Sequence, residues 1–169
     1  MVWLMSWPMF MHCAADFRSR GLCGVMLLLA AAVSVAADKP QFLNSPRAVQ
    51  LDRPFSEAVR AGDFLFLSGQ LGENPDTGAL VAGGIEAQSR QTLVNIKRVL
   101  EANGASLGDV VKCTVFLADI AEWPAFNTVY REFFKKPFPA RSALAASGLA
   151  LDARVELECI AYLPPKRSR

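Results

Sequence analysis

The stretch VELECIAY, residues 155 to 162, alternates apolar and acidic side chains over its first half. A period of two is typical of a β-strand with one buried face. The residues on the face that should meet the helices are Val155, Leu157, Cys159 and Ala161. Glu156 and Glu158 then point to the opposite face, so two carboxylates are expected on the uncovered side of the sheet.

The chain before this strand has the pattern of further strands and two amphipathic helices. Strands are predicted at residues 55–59, 64–68, 79–81, 110–117 and 142–146, the first two as a hairpin. Apolar residues recur at helical spacing over residues 85–103, and Gly104 predicts the end of that helix. A second helix is predicted after the capping residue Asp119, with these aromatic side chains in the core: Trp123, Phe126, Tyr130 and Phe133 or Phe134.

This order of elements predicts an α+β fold in which two helices cover one face of a mostly single sheet. The other face of the sheet then needs a cover. In a domain of about 130 residues, a partner subunit is the natural solution.

The N-terminal segment has the layout of a secretory signal peptide. An apolar run over residues 21–37 follows Arg18 and Arg20 and ends in alanines before Asp38. An uncleaved membrane anchor is the alternative, although the run is shorter than the roughly 20 residues that span a bilayer comfortably. We predict export to the periplasm or the outside, with a signal peptide at 1–37, a tail at 38–50, the domain at 51–164 and a second tail at 165–169.

Removal of residues 1–37 would take away His12, the only histidine in the 169 residues. A chain without imidazole excludes Ser-His-Asp triads, histidine metal sites and a histidine base. Sixteen basic and fifteen acidic residues would remain, a formal charge of +1. That balance does not favour a nucleic-acid partner, and no stable membrane partner is expected.

Two cysteines would remain, Cys113 and Cys159, each inside an apolar run. Small free cysteines behave as core hydrophobes, and on that ground we expect buried free thiols. A disulfide is the alternative, if the two strands are neighbours in a suitable geometry and the compartment is oxidising.

Arg141 stands out in FFKKPFPARSALAAS, residues 133 to 147, because it is the only charge between Lys136 and Asp152. A guanidinium in a buried strand needs an anionic partner. Spacing alone leaves two interpretations open. One is a structural ion pair with a glutamate at a subunit contact; the other is a pocket in which Arg141 grips a small carboxylate while a nearby glutamate handles a proton.

Five motifs occur in the order PFSEAVRAGDFLFLSGQLG, NPDTG, FNTVYREFF, FPARSALAAS and VELECIA. In this order they closely resemble the Rid (YjgF) family of reactive-intermediate imine deaminases. The resemblance implies a chorismate-mutase-like homotrimer, with the sheets forming a central barrel and three ligand clefts between subunits. It also implies hydrolysis of small 2-imino acids, such as 2-iminopropanoate and 2-iminobutanoate, to 2-oxo acids and ammonia without a metal or organic cofactor.

The resemblance also implies residue roles. Arg141 would bind the substrate carboxylate, and Glu158 would position or activate the water. Ser68 and Gly69 would line the cleft, and Asn127 would lie near it. A hydroxyl that satisfies a strand end is the simpler interpretation for Ser68, and a helix-surface or capping amide is an equal alternative for Asn127.

Two positions of the cleft depart from the family pattern. Phe55 stands where many deaminases have tyrosine, and Ala143 stands where they often have cysteine. Both changes retain Arg141 and Glu158 but would alter substrate choice or rate. They favour, as the alternative function, a non-catalytic trimer that binds small carboxylates or acts as a chaperone-like surface. Ribonuclease activity, ascribed to some relatives, has little support in a near-neutral chain without histidine.

Overall fold

The computed structural model describes residues 39–164. The predicted signal peptide, His12 and the tail at 165–169 lie outside these residues. Within the described part of the chain, no helix has both the length and the apolar character needed to cross a membrane.

Seven strands and three α-helices are found between residues 39 and 164. The strands are β1 (Gln41–Leu43), β2 (Ala58–Ala61), β3 (Phe64–Leu67), β4 (Gln70–Leu71), β5 (Val110–Leu117), β6 (Ala140–Ala145) and β7 (Val155–Tyr162). The helices are α1 (Pro46–Gln50), α2 (Gly84–Ala102) and α3 (Trp123–Phe133). Helix α2 ends as predicted, because Gly104 has φ +75°, a left-handed conformation that favours glycine.

The strands form one mixed sheet in the order β1-β2-β3-β7-β5-β6, with β4 beside β7. β5 and β6 pair parallel, whereas the other neighbouring strands pair antiparallel. Helix α3 connects the parallel pair, since parallel strands need a crossover connection. This topology places β7 inside the sheet and β6 at its edge.

Helices α2 and α3 supply buried side chains to the core on one face of the sheet, which confirms the predicted α+β fold. The alternation in β7 is also confirmed, because its four apolar residues are buried while Glu158 is exposed on the other face. The sheet of a single chain is open and does not close into a barrel. Three aromatic side chains remain about two-fifths exposed on its open face: Phe64, Phe66 and Tyr162.

The N-terminal half differs from the sequence prediction in three places. The first hairpin strand begins at Ala58, so Phe55 precedes the sheet. Residues 79–81 form no strand, and only an isolated bridge joins Leu80 to Glu73. The segment predicted as a tail contains β1, which pairs with β2, and α1, which is capped by Ser45. Short elements of this kind gain stability from tertiary contacts, which a local pattern does not display.

The expectation of free thiols is wrong in this structure. Cys113 on β5 and Cys159 on β7 lie directly opposite each other in the antiparallel register. They form a disulfide within the buried core. The alternative expectation, a disulfide between cysteines on two neighbouring strands, is therefore the one that the fold produces.

We expect this disulfide to be a large contribution to stability. It joins residues 46 apart, and closing a loop of that length in the unfolded chain corresponds to about 4 kcal/mol of unfolding free energy. The chain has two further cysteines, Cys13 and Cys23, and replacing both by alanine leaves Cys113 and Cys159 as its only thiols. Denaturant unfolding of this variant, with and without reductant, should show the difference. Equal midpoints in both conditions, together with peptides that carry Cys113 and Cys159 unlinked, would contradict the assignment.

Candidate active site

Arg141 projects from the edge strand β6 toward helix α3. Its register partner on β5 is Cys113, whose side chain is in the core beneath the helices. The guanidinium carbon lies 4.4 Å from the ring centre of Trp123 and 4.4 Å from that of Tyr130. These distances are within the range of cation–π stacking, so two rings of α3 hold the guanidinium.

Asn127 supplies the hydrogen-bond acceptor for this guanidinium. Its Oδ1 accepts from an Nη of Arg141 at 2.6 Å. No carboxylate among residues 39–164 forms an ion pair with Arg141. A small cavity of about 200 Å³ adjoins the group, and its walls include Phe138, Pro139 and Arg131.

The surroundings of Arg141 disfavour an uncompensated charge. Burial lowers the pKa of Arg141, and the neighbouring Arg131 lowers it further, while Tyr130 acts in the opposite direction. Burial also raises the pKa of Tyr130 to about 12, which keeps this phenol neutral. The cavity is therefore a place where an added anion would find an ordered and partly desolvated cation.

Glu158 lies on the opposite face of the sheet from Arg141. It pairs in register with Thr114, whereas Arg141 pairs with the adjacent residue Cys113. Adjacent residues of a strand point to opposite faces, and β5 separates the backbones of β6 and β7 by about 10 Å. A single chain therefore does not bring the predicted Arg141 and Glu158 pair together.

A second cleft collects another part of the predicted site. It has a volume of about 380 Å³, and its walls include Phe55, Gly69 and Glu156. Phe55 is 49% exposed here, with Arg53 stacked 5.8 Å above its ring centre. Glu158 is not among the residues that line this cleft.

Ser68 and Ala143 occupy contrasting positions. Ser68 directly follows β3, and its hydroxyl donates a hydrogen bond of 2.6 Å to the carbonyl oxygen of Ser56. This contact agrees with the simpler interpretation, in which the hydroxyl serves a backbone group at the end of a strand. Ala143 lies two residues beyond Arg141 on β6, where its side chain is exposed. The alternation of the strand places Ala143 on the same face as Arg141.

Comparison with known proteins decides the family. A family model described as Endoribonuclease L-PSP matches residues 45–163. The chain belongs to this family, the Rid (YjgF) family. The match includes both clefts and every predicted site residue.

Proteins similar to this Rid-family chain come from distant organisms. A RutC family protein of Pyrococcus horikoshii is 46% identical over 119 residues, which cover 70% of this chain and 92% of that protein. A 2-iminobutanoate/2-iminopropanoate deaminase of Dermatophagoides farinae is 42% identical over 123 residues, covering 73% of this chain and 96% of that protein. The crystal structure of the E. coli YjgF gene product superposes with a TM-score of 0.67 at 36% identity, covering 72% and 98%.

Three residues of this Rid-family site were not given a site role by the sequence. Trp123 and Tyr130 were predicted as core, yet their spacing from Asn127 by four and three residues places all three on one helix face. Glu156 was placed on the open face without a role. Among residues 39–164, no group of three or more His, Cys, Asp or Glu is arranged to hold a metal ion.

Arg141 has no carboxylate partner within residues 39–164, and adding one next to it provides a test. Asn127→Asp puts a carboxylate where the amide oxygen accepts from Arg141, and should raise the unfolding free energy at neutral pH by about 1 kcal/mol. Arg141 would depress the pKa of the new aspartate in the folded state. The gain is therefore present above the unfolded pKa of about 3.9 and is lost as pH falls through the folded pKa.

Asn127→Leu is the matched control, because it removes the acceptor without adding charge and should lower stability. Denaturant unfolding between pH 3 and pH 7 measures all three proteins. An aspartate variant that is no more stable than the parent at neutral pH would show that Arg141 already has a counterion.

Proposed function

We propose that this protein hydrolyses small 2-imino acids to 2-oxo acids and ammonia, with Arg141 holding the substrate carboxylate. The observation that carries the proposal is the partly desolvated guanidinium, which is stacked between two rings and has no carboxylate partner within residues 39–164. An unpaired charge in such surroundings is unfavourable, so an anionic ligand stabilises it. The cavity of about 200 Å³ beside it matches a ligand of a few carbon atoms.

Similarity to named relatives supports the same reaction. The Dermatophagoides farinae protein is a 2-iminobutanoate/2-iminopropanoate deaminase by name, and a human protein of that name is 39% identical over 112 residues. The two alignments cover 96% and 82% of these relatives. These relatives support an enzyme that acts on small imines.

We propose that the complete site forms between two chains of a homotrimer. Arg141 lies on the edge strand β6 with Asn127 of α3 next to it, whereas Glu158 lies on the open face, so one chain provides two separated halves. The open face also carries Phe64, which contacts the rings of Phe66 and Tyr162 at 6.3 and 5.2 Å between ring centres. An exposed cluster of this kind favours burial against another copy.

In this site the guanidinium of Arg141 binds the substrate carboxylate through its planar fork, which lysine cannot reproduce. Asn127 occupies one Nη of Arg141 and fixes the plane of the group. Glu158 of the neighbouring chain orients a water molecule toward the imine carbon. Water adds to the C=N bond to form a carbinolamine, which releases ammonia and leaves the 2-oxo acid. The backbone at Ser68 and Gly69 and the ring of Phe55 form the wall of the cleft.

A non-catalytic carboxylate-binding protein is the second candidate. Phe55 offers a ring without a hydroxyl at the cleft, and Ala143 offers neither a thiol nor a polar group beside Arg141. Such a protein would retain the anion site of Arg141 while lacking turnover. Binding and turnover must therefore be measured side by side.

We also propose that the domain works outside the cytoplasm after removal of residues 1–37. The Cys113–Cys159 disulfide supports this, because disulfides persist mainly in oxidising compartments. Mass spectrometry of the protein exported by its own host should find a first residue close to Asp38. Recovery of the whole chain from the cytoplasm, with both thiols reduced, would contradict the proposal.

The turnover experiment uses 2-iminopropanoate generated in place by an amino acid oxidase. We expect release of 2-oxo acid faster than in buffer, and a loss of at least about 100-fold in Arg141→Ala, because a charged binding partner is removed. Arg141→Lys should fall between the two, since it keeps the charge without the fork. Arg90→Ala, which breaks an exposed ion pair with Glu132, is the control and should keep full activity.

Calorimetry with 2-oxobutanoate separates the two candidate functions. Heat of binding in the parent, lost in Arg141→Ala and in Asn127→Asp, is expected for both functions. Binding without acceleration of imine hydrolysis would favour the non-catalytic protein. Full turnover in Arg141→Ala would defeat the proposed function outright.

A further inference from the structure

Glu156 is the titratable side chain that the Rid-family roles leave unused, and it lines the cleft of about 380 Å³ with Phe55 and Gly69. Its carboxyl group lies against the backbone of Gly69. A Cβ added at Gly69 would stand 2.8 Å from the Glu156 Cδ, closer than real Cβ contacts come. Glycine at position 69 therefore leaves the space in which this carboxyl group sits.

Several charged side chains surround Glu156. Those that line the cleft are Arg47 of α1, Arg53 and Glu57 before β2, Glu73 after β4, and Arg98 of α2. Glu158 is outside the cleft wall but lies two residues along β7, on the same face of the strand as Glu156. Arg53 is paired with Glu73 at 3.2 Å, and Glu57 accepts a 2.6 Å hydrogen bond from the backbone of Ser45. Within residues 39–164, Glu156 itself has neither an ion pair nor a hydrogen-bond donor.

The net effect on Glu156 favours its protonated form. Burial raises the pKa of Glu156, and the Glu158 carboxylate raises it further. Glu158 is exposed, in contrast to the half-buried Glu156. Two carboxyl groups on alternate residues of one strand thus have different surroundings, which is the usual way in which a site separates an acid from a base.

Hydrolysis of an imine needs both an acid and a base. Water becomes a better nucleophile when a base takes its proton, and the imine carbon becomes a better electrophile when an acid protonates the nitrogen. Glu158 can serve only one of these purposes at a time. A second group is therefore needed at the imine nitrogen.

We propose that Glu156 is the general acid of the reaction and protonates the substrate nitrogen, while Glu158 is the base. This assignment rests on the proposed function, whose anion site is Arg141. Strand β7 then supplies both proton-transfer groups. The glycine at position 69 leaves room for the carboxyl group of Glu156.

The proton steps balance without any further reactant. Glu156 transfers its proton to the imine nitrogen and becomes a carboxylate. Glu158 takes one proton from the attacking water as the new C–O bond forms and the C=N π bond breaks. Glu158 then returns that proton to the amino group, ammonia leaves as the C–N bond breaks, and the hydroxyl proton goes to Glu156 as the C=O bond forms.

The decisive variant is Glu156→Gln, which keeps the size and shape of the side chain but cannot donate a carboxyl proton. We expect kcat to fall by roughly 100-fold or more, with KM and the affinity for 2-oxobutanoate changed less than about twofold. In the parent, the rate above buffer falls as pH rises through the raised pKa of Glu156, because the acid form is lost. The residual rate of the glutamine variant should lack this alkaline decline.

Gly69→Ala provides an independent test through geometry. Its Cβ would displace the Glu156 carboxyl group, so kcat should fall with little change in 2-oxobutanoate binding. Gly148→Ala is the matched control, because a Cβ at Gly148 would meet no atom within 4 Å. Glu156→Asp, which keeps a shorter carboxyl group, should restore part of the rate and the alkaline decline.

The outcomes separate this inference from the proposed function. No acceleration by the parent would overturn the proposed function itself. Activity that is lost in Arg141→Ala but unchanged in Glu156→Gln, with the same alkaline decline, would overturn the role of Glu156 alone. A Glu156→Gln variant that loses 2-oxobutanoate binding along with its rate would also overturn it, because the side chain would then be structural.

Discussion

The guanidinium of Arg141 is the constraint on which the rest of the site depends. It is held between Trp123 and Tyr130 and bonded to the amide of Asn127, yet the described chain offers it no carboxylate. A protein that used this arginine only for stability would be expected to pair it, since an unpaired and partly buried charge is unfavourable. Stacking and one neutral hydrogen bond fix its orientation while leaving its charge available. Helix α3 therefore holds a cation in the orientation that the proposed binding of a carboxylate requires.

The register of the sheet then divides the chemistry between two places. Because Arg141 lies opposite Cys113 and Glu158 lies opposite Thr114, the two functional groups face opposite sides of one sheet. The Cys113–Cys159 disulfide fixes that register at the centre of β5 and β7. Under the proposed mechanism, neither group alone would complete a site for a substrate of a few atoms. The open face with its exposed rings offers the surface through which a second chain would supply the missing half.

The sequence was sufficient for the elements whose patterns are local. The alternation in VELECIAY predicted β7 and its buried face, and the helical spacing before Gly104 predicted α2. It was insufficient where pairing decides the outcome. Nothing in the residues near Cys113 shows that Cys159 is its register partner, and nothing near Arg141 shows that its face is opposite to that of Glu158. Glu156 and Glu158 are the same residue type, and the fold is what distinguishes their surroundings, because Glu156 packs against Gly69 in a cleft while Glu158 is exposed.

The central claim is that Arg141 of one chain acts with Glu158 of another. It is tested most directly by mixing Arg141→Ala and Glu158→Gln chains, each inactive alone, by co-expression and measuring imine hydrolysis. If each site takes one residue from each of two neighbouring chains in a closed ring, random mixing restores about a quarter of the parent activity. If both residues act from the same chain, no mixed site is complete. Mixed oligomers that form but remain inactive would contradict the account.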